Sequence, residues 1–68
     1  MDNTTTIDKP KCKLVGANGN VFNLIALASL ALKRAGFRDK ADEMSKKCFS
    51  AESYDNVLCI IMDYVDVE

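Results

Sequence analysis

Four residues at the mouth of the chain's longest uncharged segment have types suited to gripping an anion. They are Gly16, Asn18, Gly19 and Asn20, in the stretch "GANGN". If a helix begins just after them, its first amides lack intrahelical partners and its end carries partial positive charge. Such an end attracts phosphate or carboxylate. The two glycines let backbone approach a ligand closely, and the two asparagines add donors. Lys11 and Lys13 lie just upstream, and Arg34 and Arg38 lie beyond the helix. All four can bring charge to such a ligand, from the same chain or a neighbouring one. The spacing is neither a Walker loop nor GxGxxG. The plainer alternative is a tight turn followed by a helix cap, which calls for the same residue types.

Other chemistry is poorly served. The chain has no histidine, hence no ready general base near neutral pH. Its cysteines are Cys12, Cys48 and Cys59, an odd number with no CxxC pair. Neither a zinc site nor a disulfide framework is expected from them. The start, "MDNTTTIDKP", has no apolar h-region, so free thiols in the cytoplasm are expected. No enzyme activity, metal or cofactor is expected.

A second basic set, Lys33, Arg34, Arg38 and Lys40, surrounds Phe37. It suits an acidic partner or a nucleotide, or is a solvated helix end complementing the dipole. Two helices joined near Gly36 also resemble, superficially, a small DNA-binding regulator. Against that, Asp39, Asp42 and Glu43 share the second helix, and the net charge is −1. Both features oppose a broad nucleic-acid surface.

The elements that must position these residues follow from pattern. Residues 1–10 read as a flexible polar tail and 11–68 as a single helical domain. "KCKLV", residues 11–15, alternates polar and apolar and reads as a short strand or extended arm. Its partner is either the C-terminal "YVDVE" or the same arm of a sister chain. Lys9, Lys11 and Lys13 against Asp63, Asp66 and Glu68 favour the first. The pattern leaves open whether "YVDVE" ends a helix or forms a strand.

Asn18-Gly19 reads as a turn whose residues tolerate positive φ, and Asn20 as the cap of a helix over Val21–Ala35. Gly36 fits the left-handed position after that helix, with Phe37 folding back on Leu32. A second helix is expected from Arg38 or Asp39 to Phe49, with Ala41, Met44, Cys48 and Phe49 inward. Ser53 should cap a third, whose apolar face is Tyr54, Val57, Leu58, Ile61, Tyr64 and Val65. The fold class is therefore mainly α: a three-helix domain behind a short N-terminal β-strand or arm.

A chain of 68 residues buries only about 60% of its unfolded surface. Its first helix is apolar around more than half its circumference, whereas a surface helix needs an apolar arc of a little over ~100°. The excess predicts homo-oligomerisation through Leu24, Leu27, Ala28, Leu30 and Ala31. The alternative is a central helix wrapped by the other two and the arm. A membrane span is disfavoured, because about 20 apolar residues are needed and the run reaches that only by including Gly16, Asn18, Gly19, Asn20 and Asn23.

From Cys12 to Glu68 the chain resembles a set of small uncharacterised proteins from phages and mobile elements. The resemblance is carried by "LVGANGNVFNLIALASLALKRAG", with its Leu-x-Gly-x-Asn-Gly-Asn-x-Phe start, and by "SYDNVLCIIMDYVDVE". Members often have Asp where Asn18 stands. The resemblance implies a counter-defence role, either sequestering a host nucleotide signal or blocking a host defence protein. Together with the residues above, the expectation is a non-enzymatic protein in the host cytoplasm. It would hold an anionic small molecule, such as a nucleotide, at a subunit interface. The alternatives are a module inhibiting a host protein and a small DNA-binding regulator.

Overall fold

Helix α1, Val21–Arg34, starts where Asn20 can cap it: the Asn20 side-chain oxygen accepts from the Phe22 amide. It stops at Gly36, whose φ of +90° reverses the chain. The Phe37 amide donates to the Leu32 carbonyl at 2.8 Å and the Gly36 amide to Lys33 at 3.0 Å. This is the Schellman pattern expected from the sequence. Replacing Gly36 with Ala forces an L-residue into the left-handed region and should lower stability by about 1–2 kcal/mol. Gly19→Ala should be near neutral: its φ is not positive, and a Cβ there meets the Tyr54 hydroxyl at an ordinary 3.6 Å. Parallel thermal melts of the two variants check the contrast.

The computed structural model describes Lys9–Glu68, so expectations for residues 1–8 lie outside the described residues. Helix α2 spans Arg38–Phe49, with Asp39 in its first turn and Lys46 and Lys47 in its last. Each sign sits at the dipole end that favours it. Helix α3, Tyr54–Tyr64, is capped by Ser53, whose hydroxyl accepts from the Asn56 amide. At Val65 the backbone turns extended, as suits a β-branched residue leading a Val-Asp-Val run.

The ambiguity of "YVDVE" is thereby resolved: Tyr64 ends the helix, and Asp66–Val67 form a strand. The arm supplies strand β1, Lys11–Cys12, and the tail strand β2, Asp66–Val67; they pair in parallel. Lys11 stands opposite Asp66 and Cys12 opposite Val67. Pairing thus falls between the basic arm and the acidic tail of one chain, as charge favours. The ladder continues past both strands. Pro10 accepts from the Asp66 amide, Cys12 from that of Glu68, and the Glu68 carbonyl accepts from both Leu14 and Val15. Lys9 and Pro10 are also held to the C-terminal third, through the Met62 carbonyl and the Asp66 amide.

The core lies between the three helices and the arm. Ala28 and Ala41 are wholly buried, which lets α1 and α2 approach closely. Leu24, Ile25 and Leu32 of α1, Met44 and Cys48 of α2, and Val57, Ile61 and Val65 from the C-terminal third complete it, with Cys12 and Leu14 closing one side. The five residues expected at an oligomer face divide within the single chain. Leu24 and Ala28 are spent on the chain's own core, Leu27 and Ala31 pack against it, and of the five only Leu30 stands exposed. The apolar excess is real but points elsewhere: Phe22 on α1 and Phe49 on α2 are each 65% exposed. Phe49, expected inward, sits at the end of α2, past Cys48, with its ring tilted 35° against that of Phe22 at 6.2 Å between centres. Among the described residues, no helix is long and apolar enough to cross a membrane.

Candidate functional site

The Gly16–Asn20 loop turns its polar groups on itself. The Ala17 amide donates to the Leu14 carbonyl, closing a turn whose left-handed residue is Gly16, at φ +84°. Neither Asn18 nor Gly19 has positive φ, so the Asn-Gly turn expected there is displaced to Val15-Gly16. The Asn18 side chain accepts from the Asn20 backbone amide, and the Asn23 side-chain Nδ2 donates to the Asn18 backbone carbonyl. The Tyr54 hydroxyl donates to the Gly19 carbonyl at 2.9 Å, tying the loop to α3. These residues build a helix cap and a tether, with the Phe22 and Asn20 amides already engaged.

Of the expected cations, Arg34 and Arg38 do not gather at this loop. Lys11 faces Asp66 across the strand pair, and Lys13 is exposed on the same arm. Arg34 and Arg38 lie at the far end of α1, a helix about 20 Å long at 1.5 Å per residue. In one chain the eight proposed ligand residues thus form two separate groups. The face of α2 turned to solvent mixes Arg38, Lys40, Lys46 and Lys47 with Asp39, Asp42 and Glu43, all exposed. Mixed charge of this kind suits a phosphate backbone poorly.

One cleft, of about 280 Å³, lies beside the Gly16–Asn20 loop and is lined largely by apolar residues with Gly19 and Tyr54; another lies at the far end, where α1 stops, α2 starts and α3 stops. Phe37 and Lys40, both singled out by the basic corner of the sequence, line a cleft of about 340 Å³ with Leu32, Pro10, Lys9, Asp63 and Tyr64. Its wall is held by a small network. The Tyr64 hydroxyl donates to the Glu43 carboxylate. Lys40 and Lys47 approach the same carboxylate at 3.9 and 3.8 Å, and the Lys47 ammonium sits 5.3 Å from the centre of the Tyr64 ring. On the other side, Lys9 donates to the Met62 carbonyl at 2.9 Å. It thereby supplies a cation to the end of α3, whose last turn has no basic residue.

This network sets the titrations nearby. The Tyr64 hydrogen bond, then Lys40 and Lys47, hold the Glu43 carboxyl below its ordinary range. The Tyr64 phenol is pushed up by desolvation and then by its bond to Glu43. A lowered carboxyl stabilises the fold above its unfolded pKa and loses that contribution as pH falls through the folded value. The Glu43 contribution is therefore complete at neutral pH and removed by acid. Tyr64→Phe should move the Glu43 titration up toward that of an ordinary carboxylate, as read from its side-chain NMR shift. Burial raises the Cys12 and Cys48 thiols, which keeps them protonated and unreactive.

Lys9 and Tyr64 were not foreseen as site residues. Lys9 lay in the segment read as tail, and Tyr64 was counted simply as core. Only the parallel pairing of arm and tail brings Lys9 beside the end of α3. Compared with protein-family models, curated proteins and solved structures, the chain matches none.

Proposed function

We propose that this chain is a non-enzymatic binding protein that sequesters an anionic small molecule of nucleotide size in the corner cleft. The supporting observation is the cleft's composition: apolar Leu32 and Pro10, aromatic rings at Phe37 and Tyr64, and two lysines, Lys9 and Lys40, against one carboxylate, Asp63. A planar ring can lie against the aromatic walls while its phosphate or carboxylate meets the ammonium groups. The cleft volume falls within the ~300–1,000 Å³ usual for small-ligand sites. The phage-type counter-defence role belongs to the same proposal and is supported by the sequence resemblance alone. Withholding a host nucleotide signal needs tight binding and no chemistry, which suits a chain without histidine.

The test is thermal shift with a panel of linear and cyclic mononucleotides. At a ligand concentration 100 times Kd, stabilisation is about 2.7 kcal/mol, or roughly 10–20 °C for a domain this small. The Lys9→Ala, Lys40→Ala double variant should keep its own melting temperature within a few degrees and lose the shift. No shift with any nucleotide or other anionic aromatic compound would retire the proposal.

A further inference from the structure

Asp63 is an odd residue for its place in the fold. It stands in the last turn of α3, which carries no basic residue, and a carboxylate there meets the negative end of the helix dipole. Among the described residues no cation pairs with it: Lys40 and Lys47 approach Glu43, and Lys9 donates to the Met62 carbonyl. On the Lys47 ammonium Asp63 acts least of its neighbours, after Tyr64 and Glu43. The side chain is exposed, so packing does not call for it either. What Asp63 does is line the corner cleft, as the one carboxylate beside two lysines, Lys9 and Lys40. In a site that held an anion and nothing more, it would repel the ligand. Residues that oppose the local rules gather where a function requires them.

A carboxylate accepts hydrogen bonds and donates none, and its two oxygens can take two parallel N–H donors at once. Among the common nucleobases, guanine offers such a pair on one edge: its ring N1–H and its 2-amino group, side by side. Adenine has no N1–H. Hypoxanthine lacks the amino group, and xanthine carries in its place an oxygen, which a carboxylate repels. We propose that Asp63 is a specificity-determining residue that reads the N1–H and 2-amino edge of guanine, so that the anion held in the corner cleft is a guanine nucleotide. This rests on the reading of the cleft as a nucleotide site and narrows it. The lining then divides the ligand among its residues. The Phe37 and Tyr64 rings take the face of the base, Asp63 takes its edge, and Lys9 and Lys40 take the phosphate. Asp63 and Tyr64 are neighbours in one turn of α3, so edge and face are read by one rigid element. A base without the paired donors leaves the carboxylate partly desolvated and unpaired, which is how a polar site rejects a near-isostere.

Isothermal titration calorimetry with GMP, IMP, XMP and AMP tests it, on the parent chain and on Asp63→Ala and Asp63→Asn. The parent should bind GMP roughly 10-fold or more tighter than each of the others, the ratio expected when a hydrogen bond to a charged group is lost. Asp63 is exposed and stands at the unfavourable end of the dipole, so both variants should melt no lower than the parent. Their effects on two nucleotides differ in sign. In Asp63→Ala, GMP should weaken by roughly 10-fold or more, while AMP should hold or tighten because a repulsive charge has gone. Asp63→Asn, with one acceptor replaced by a donor, should weaken GMP as well. If Asp63 is merely a solvated acid near an anion site, GMP and AMP tighten alike in Asp63→Ala, and the proposal is overturned. Equal binding of GMP and AMP by the parent overturns it too. So does a loss from GMP to its 2′-deoxy form as large as that from GMP to AMP, which places the carboxylate on the ribose hydroxyls. In those three cases a nucleotide still binds and the reading of the cleft stands; binding of no nucleotide retires both.

Discussion

A chain stopped after Tyr64 is expected to lose cooperative unfolding at 25 °C, although only four residues are removed and three helices keep their full sequence. Val65 is almost completely buried, and burying a valine side chain contributes about 1.5–3 kcal/mol. At least five backbone hydrogen bonds go with it: those of the Val65, Asp66 and Glu68 amides to Ile61, Pro10 and Cys12, and the two that the Glu68 carbonyl accepts from Leu14 and Val15. Each is worth about 0.5–1.5 kcal/mol net. Without β2 the arm has no partner strand, so the cover that Cys12 and Leu14 give the core is loosened as well. For a chain of 68 residues the whole stability is of the order of 3–10 kcal/mol, the same size as the loss. Far-ultraviolet circular dichroism through a thermal ramp reads the result. A truncated chain that melts sharply within a few degrees of the full one would show that the strand pair is ornament.

The second large effect separates two adjacent residues of α3. Ile61 is fully buried and Met62 is 49% exposed, though both are long apolar side chains in the same turn. Ile61→Ala should cost about 2–5 kcal/mol, the transfer loss plus the cavity it leaves. Met62→Ala should stay within about 1 kcal/mol, since its side chain is only half removed from water. Urea unfolding measures both, as a fall in midpoint at unchanged slope. Equal losses at the two positions would mean that α3 is rotated about its axis from the orientation described. Every argument drawn from its buried face, including the place of Tyr64 beside Glu43, would then fail.

The helix ends were largely readable. Asn20, Ser53 and the Gly36-Phe37 pair act within a few residues of themselves, so their meaning needs no distant neighbour. The Asn18-Gly19 pair shows the limit of such reading. Several turns were open to "VGANGN", and the tether from Tyr54 to the Gly19 carbonyl, 35 residues away, enters a balance that local preference does not settle. The face of α1 was harder still. Its apolar arc was wide enough to be divided between core and surface in more than one way. Leu24, Ile25, Ala28 and Leu32 went inward, leaving Phe22, Ala26 and Leu30 outside. The larger Phe22 stayed out because it stands opposite the arc that α2 and α3 cover, and position on the helix outranks size.

The candidate site divides in the same manner. Phe37 and Lys40 stand near the Gly36 stop, so a basic, aromatic corner was visible from the order of residues. The cleft was not, because its other wall comes from opposite ends of the chain: Lys9 and Pro10 from the arm, Asp63 and Tyr64 from the end of α3. The residues by themselves determined three helices, their caps, the basic corner and the attraction between a basic arm and an acidic tail. All of these depend on periodicity, turn chemistry or charge, which act along the chain or without regard to detailed packing. Tertiary structure alone decided which side of α1 meets water, which residue of the entry loop takes positive φ, and which side chains enclose a cavity. Those outcomes depend on packing between segments far apart in sequence, where many arrangements compete and only the closest-packed survives.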